Sequence, residues 1–296
     1  MSGHLIHIGY PKTATNFLRS WFAQHPQLEY VEGGIGGFRD VYDVVRTSAS
    51  RRSRALYRVT SSEGLATPLA DFGAGAISYD RSAGLSLADA QRTACDTLAD
   101  LFPNAKILIV TRGFRSAIPS MYSQTVRTGT DSDFEAFCRM LESAVREGID
   151  GWDFCRVVGL YRERFGNDNV IVMPYELLQD DVRAFTSALE SRLGLDAFAP
   201  AQQRLNPSLT PAELYWYPRF SRVIRKFGSK RVLQIFGRSV QQNRLRAPVA
   251  VLQRLRPAAS QSTADIPESL VEAYRGRADC LRDEPPYARY AREYLF

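Results

Sequence analysis

The chain has 296 residues, 45% hydrophobic and 24% charged, enough to bury a large core and unlike a disordered or low-complexity polymer. No stretch reaches the ~20 apolar residues of a membrane span. The four cysteines and three histidines show no zinc-ligand spacing, so no metal is expected. The net charge of +6 is local: eleven basic residues lie between Arg219 and Arg256, and no Asp or Glu occurs from Leu214 to Ala264.

The run "HLIHIGY" predicts a short buried strand, with no basic region and long apolar region before it. A cytoplasmic protein with buried, reduced cysteines is expected. "TNFLRSWFAQHP" predicts a helix closed by Pro26. Residues 33–58 are Gly-rich, then Arg-rich, and give no firm assignment, whereas "ALYRVTSSEG" predicts a second strand ending in a turn at Gly64. Residues 86–101 predict a helix with Ser86 as cap and Asp89 three positions on.

"AKILIVTR" carries the strongest strand pattern, and a helix is expected just after it, in "SAIPSMYSQTVRTG". A further helix is expected over "SDFEAFCRMLESAVREG", a strand over "VIVMPYELL", and a helix over "DDVRAFTSALESRLGL". Strands alternating with such helices predict an α/β fold, a central parallel sheet flanked by helices. Ligands of such sheets bind beyond the carboxyl ends of the strands. After Asn206 the pattern is mainly helical and basic, with no low-complexity linker before it. Residues 207–296 are therefore expected to form a C-terminal helical part of one domain with the 1–206 core.

The first loop, "GYPKTATNF", holds Lys12, one of only four lysines beside 34 arginines. A strand-to-helix turn is where backbone N–H groups converge on an anion. A P-loop kinase would carry GxxxxGK[ST] and an Asp ending an apolar strand. Here Lys12 follows Pro11, and "ILIV" ends in Thr111 and Arg112. An Arg fork there and a helical hydroxyl at Ser120 suit a terminal phosphate.

These residues resemble the sulfotransferases that use 3'-phosphoadenosine 5'-phosphosulfate, of the bacterial type. "YPKTATNFL" is similar to the family's phosphosulfate loop, usually PK[ST]GTT[WF]. The resemblance implies a P-loop-like fold in which Lys12 meets the phosphosulfate bridge, Thr13, Thr15 and Asn16 the 5'-phosphate, and Phe17 the adenine. Ala14 stands where Gly is usual, which requires φ below zero there. "VTRGFRSAIPSMYSQ" resembles the 3'-phosphate segment, with Arg112 and Ser120 at the family's separation; Gly113-Phe114 replaces the usual Asn-Pro. "VIVMPYELLQDD" implies Tyr175 near the adenine, and "RLNPSL" places Asn206 in a closing cofactor loop. The resemblance spans residues 5–206. Glu63, in "TSSEGL", stands in register with the family's catalytic base.

The resemblance implies in-line, metal-free sulfuryl transfer to a hydroxyl or amine of a small-molecule, carbohydrate or lipid acceptor, with adenosine 3',5'-bisphosphate as product. Two other readings are a P-loop-type kinase and an anion- or nucleic-acid-binding module built on residues 214–264. No specific nucleic-acid partner is expected, and an oligomer is allowed. His4, His7 and His25 are expected to be structural. Phe220, Val223, Ile224 and Phe227 recur at helical spacing among basic residues. This amphipathic helix is expected to pack its apolar face on the sheet, the alternatives being an anionic membrane surface or an oligomer contact.

Overall fold

The computed structural model describes residues 3–36, 38, 55–68, 70–71, 78–80, 82, 84–149, 151–199, 209–228, 230–255 and 265–296. Strand β1 (Gly3–Gly9) is the spine, and its Leu5, Ile6 and Ile8 are fully buried. A continuous apolar run of this kind suits a parallel strand covered on both faces. It pairs in parallel with β3 (Tyr57–Ser62) on one side and β6 (Lys106–Thr111) on the other. Beyond them lie β2 (Leu28–Tyr30) and β7 (Val170–Pro174), giving the all-parallel order β2-β3-β1-β6-β7. A separate antiparallel pair joins β4 (Ala70–Asp71) to β5 (Ser78–Tyr79).

The flanking helices are α1 (Thr15–Gln24), α2 (Leu87–Leu101), α3 (Phe114–Arg127), α4 (Phe134–Arg146), α5 (Phe154–Phe165), α6 (Tyr175–Asp180) and α7 (Val182–Leu193). Ser86 caps α2 by accepting from the Asp89 N–H, as its sequence predicts. The strand expected through Leu178 stops at Pro174, which has no N–H for a ladder, and α6 starts at the next residue.

The C-terminal part contributes α8 (Pro211–Phe227), α9 (Lys230–Gln241), α10 (Arg246–Leu255), α11 (Glu268–Tyr274) and α12 (Ala291–Tyr294). It shares the core of the sheet: Phe114 stacks on Tyr274 with ring centroids 4.7 Å apart, and Thr111 Oγ1 lies 2.8 Å from Tyr287 Oη and 2.9 Å from Tyr294 Oη. Among the described residues no helix is long and apolar enough to cross a membrane.

Two expectations are corrected. Cys155 and Cys280 are joined in a disulfide at the surface, and only Cys95 and Cys138 are free and buried. The two partners lie 125 residues apart, so sequence spacing gave no sign of the pair. The basic helix also differs. α8 buries Leu214, Tyr217, Pro218 and Ser221, while Val223 and Phe227 of the expected apolar face stand 57% and 78% exposed.

His4 and His7 are tied across the β1–β3 pair, His4 Nε2 lying 2.8 Å from Thr60 Oγ1 and His7 Nδ1 2.8 Å from Ser61 Oγ. Burial, helped by Arg58 for His4 and Arg19 for His7, lowers their pKa values to about 4 and about 3. Both are neutral in the fold, so below the unfolded value of about 6.5 the unfolded chain gains protons that the fold refuses. Stability is therefore complete above 6.5 and is lost as pH falls toward 4 and 3. We expect urea unfolding to report a loss of about 2 kcal/mol between pH 6.5 and 5 from His7 alone, at ~1.4 kcal/mol per pH unit. The same slope in His7→Asn would show that His7 carries none of it.

Candidate anion-binding and catalytic site

The residues singled out by sequence gather at the carboxyl edge of neighbouring strands. Lys12 follows β1, Glu63 follows β3, Arg112 follows β6 and Tyr175 follows β7. The register brings β6 and β7 to an end together, with Thr111 opposite Pro174, so Arg112 and Tyr175 leave the sheet side by side. The Arg112 guanidinium lies 4.3 Å from the Tyr175 ring centroid. β1 lies between β3 and β6, where the chain's path across the sheet reverses, and such a switch point opens a crevice for ligands.

The loop after β1 has a backbone that could hold an anion. Lys12 and Ala14 both have left-handed backbones, with φ of 68° and 59°. Alternation of this kind turns successive N–H groups inward. The helix that follows, α1, has no side-chain cap and no acidic residue in its first turn, so its orphan N–H groups and positive dipole end are left for a ligand. Thr15 Oγ1 is buried there with no hydrogen-bond partner among the described residues. A buried polar atom without a partner is costly and marks a place a ligand oxygen would satisfy. Thr13 instead donates its hydroxyl to the Tyr10 carbonyl at 2.7 Å, Asn16 is exposed, and Phe17 is 8% exposed in the core.

The left-handed Ala14 corrects the expectation of a negative φ at that position. A Cβ costs roughly 1 kcal/mol in this region, and the surrounding loop holds it there. Ala14→Gly is expected to raise stability by about 1 kcal/mol, read as a higher urea midpoint. An unchanged or lower midpoint would mean that Ala14 is unstrained.

Arg112 ties the site together. Its Nη1 donates to Ser120 Oγ and to the Lys12 carbonyl, each at 3.0 Å, and its Nε donates to Ser116 Oγ at 3.0 Å. Ser116 donates to Glu176 Oε1 at 2.9 Å, and Glu176, 6% exposed, also accepts from the Gly113 N–H and from Tyr294 Oη, each at 3.0 Å. The Gly113-Phe114 turn is explained by this packing: a Cβ at residue 113 would fall 2.5 Å from Glu293 Cβ and 2.7 Å from its main-chain carbon. Burial lowers the pKa of Arg112, opposed by the nearby Tyr175 and Glu176.

Lys12 Nζ lies 3.4 Å from Gln124 Oε1 on α3. Burial, then Arg112 and Arg127, lowers its pKa from 10.5, and Glu63 pulls the other way. Glu63, half-buried, begins a short 3-10 turn at the end of β3 and is thus the carboxylate facing the lysine's field. Asn206 lies outside the described residues, as do residues 39–54. His25 is engaged with the chain itself, accepting from the Gln27 N–H and contacting the Asp196 carbonyl. Ser116, Gln124, Glu176 and Tyr294 were missed by the sequence reading; the only local signal was that Ser116 sits four residues after Arg112, one helical turn along.

The carboxyl edge of the parallel sheet thus combines two half-buried cations, an uncapped helix and an orphaned hydroxyl, a set whose chemistry suits an anion. Residues 89–200, a segment that carries Arg112, Ser120 and Tyr175, match the model of the sulfotransferase family. Lys12 and its loop precede the matched residues. Among solved structures the chain is similar to a sulfotransferase from Alicyclobacillus acidocaldarius, 18% identical over 79% of this chain and 99% of that one, with a TM-score of 0.48. A sulfotransferase domain from the curacin biosynthetic pathway is 12% identical over 69% and 79%, with a TM-score of 0.41. A mouse sulfotransferase complexed with PAP is 14% identical over 74% and 64%, with a TM-score of 0.40. No curated protein matches the chain.

Proposed function

We propose that the protein transfers a sulfuryl group from 3'-phosphoadenosine 5'-phosphosulfate to the hydroxyl or amine of a small-molecule, carbohydrate or lipid acceptor, without a metal. The observation that carries this reading is the Arg112–Ser120 hydrogen bond set against the Lys12 loop, in which Arg112 also holds the Lys12 carbonyl. The residues fit the donor: Arg112 and Ser120 would hold its 3'-phosphate, and Thr15 Oγ1 with the first N–H groups of α1 its 5'-phosphate. Thr13 and Asn16 would complete the loop, and Phe17 and Tyr175 would lie on the adenine side. When bound, this donor supplies an activated sulfuryl group.

Lys12 stabilises the negative charge that develops on the leaving phosphate oxygen as the sulfur–oxygen bond breaks. Glu63 accepts the proton from the acceptor hydroxyl as the new bond forms on the opposite side of sulfur. The sulfuryl group carries less negative charge than a phosphoryl group, so fixed N–H donors and cations can serve in place of Mg²⁺. We treat the chain as one domain, since the C-terminal tyrosines reach the sheet beside Arg112. A cytoplasmic site of action belongs to the same reading; the Cys155–Cys280 bond, of a kind rare in reducing compartments, argues against it.

Calorimetric titration with adenosine 3',5'-bisphosphate beside 5'-AMP tests the proposal. The bisphosphate is expected to bind at least about tenfold more tightly, and Arg112→Ala to erase that preference, since a charge-assisted hydrogen bond contributes about 1.5–3 kcal/mol. Equal affinity for the two nucleotides in the wild type would sink the reading.

A further inference from the structure

The hairpin of α8 and α9 presents a surface that the anion site does not use. A stripe of Trp216, Phe220, Val223 and Phe227 runs along α8 at helical spacing. It starts half-buried, with Trp216 stacked on Phe220 at 5.9 Å and Phe220 edge-on to Phe236 of α9 at 6.4 Å. It ends in solvent, at Val223 and Phe227. On α9, Val232 and Ile235 stand one turn apart, 46% and 56% exposed. Large apolar side chains are thus exposed on both arms near the closed end of the hairpin.

The charges around them are of one sign. The nearest acid of the facing α3–α4 loop, Asp131, is engaged by Arg225, 3.8 Å away, while Arg222 donates to the Asp131 carbonyl and Arg225 to the Gly129 carbonyl. Lys226, Arg231 and Arg238 have no ion pair among the described residues. Lys226 Nζ lies 5.2 Å from the Phe227 ring centroid.

We propose that the closed end of this hairpin docks on an anionic bilayer, seating Phe227, Val223, Val232 and Ile235 at the headgroup–acyl boundary and Lys226, Arg231 and Arg238 on lipid phosphates. A second copy of the chain would bring the same cations face to face and is disfavoured. A nucleic acid would answer the cations but leave the aliphatic side chains in water, since Val and Ile offer no ring for base stacking. An anionic lipid surface satisfies both, the basic side chains answering its phosphates and the apolar ones its acyl boundary. Arg222 and Arg225 clamp the loop at the end of α3, the helix that carries Ser120 and Gln124. The docking element therefore lies roughly 12 Å of helical rise from the anion site. The proposal does not depend on sulfuryl transfer, because docking is measured without nucleotide.

Flotation with phosphatidylcholine vesicles, with and without phosphatidylglycerol, tests it. The wild-type chain is expected to float with the anionic vesicles at least about tenfold more than with neutral ones, and less at high salt. Val223→Asp with Phe227→Asp, and separately Lys226→Ala with Arg231→Ala, should each cut recovery about tenfold. Both double variants should keep the wild-type affinity for adenosine 3',5'-bisphosphate, which shows that they are folded. Equal recovery on neutral vesicles, or wild-type flotation by the Val223/Phe227 variant, would overturn the proposal. So would a dimer in solution that Phe227→Asp dissociates.

Discussion

Lys12→Ala is expected to lower kcat by about 10²–10³-fold while changing affinity for adenosine 3',5'-bisphosphate by less than about tenfold. The asymmetry follows from where the charge is needed. On the proposed reading, Arg112, Ser120 and the N–H groups of α1 would already answer the phosphate charge of the bound product. During transfer, new charge builds on the bridging oxygen, and a fixed donor there contributes about 2.7–4 kcal/mol in known cases. Lys12 sits where such a charge acts strongly, for its own pKa is lowered by burial and by two arginines.

The same fact sets a pH signature. The ammonium is lost at a lower pH than an ordinary lysine's 10.5, so the alkaline limb of kcat should begin early. Arg127→Gln removes one depressing charge, which raises the lysine pKa and moves that limb to higher pH. Single-turnover rates across alkaline pH, with nucleotide affinity measured in parallel, check both statements. Comparable losses in binding and turnover for Lys12→Ala would place the lysine in ground-state binding instead.

The second large effect belongs to Glu176. Its carboxylate accepts from the Gly113 N–H, Ser116 and Tyr294, and Ser116 in turn accepts from Arg112 Nε. Glu176→Ala leaves a buried N–H and a buried hydroxyl without their acceptor, each a cost of about 1–3 kcal/mol. It also frees Ser116 to turn away from Arg112. We therefore expect both a lower urea midpoint and a loss of most of the preference for the bisphosphate over 5'-AMP. Glu176→Gln, whose amide oxygen still accepts from Gly113, should restore the preference in large part. A variant that loses stability but keeps the full preference would show that Glu176 supports the fold alone.

Much of this architecture was legible in the sequence because strand burial is written locally. The run Ile107–Val110 is apolar without alternation, and in Leu5–Ile8 only His7 interrupts the apolar residues, which is how strands covered on both faces read. β2 was not legible: three residues are too few to show a period. α5 was passed over although Asp153 caps it and Phe154, Val157, Val158, Tyr161 and Phe165 recur at helical spacing. In the site, Lys12, Glu63, Arg112 and Tyr175 were legible because each directly follows a strand and the sheet topology does the rest. Glu176 and Tyr294 were not, since their roles arise from contacts between distant segments. The backbone of Ala14 was misread because Ala gives no local sign of a left-handed conformation, whereas Gly would have.

The bonds from Thr111 to Tyr287 and Tyr294 span 176 and 183 residues. While the chain is being synthesised, the first strands and the Lys12 loop leave the ribosome long before these tyrosines exist. The support beneath Arg112 is then missing, and an apolar groove in the sheet layer stays open until the last helices arrive. Completion of the candidate site is therefore a late step, and the nascent protein passes through a stage that is folded in outline but lacks the support beneath Arg112.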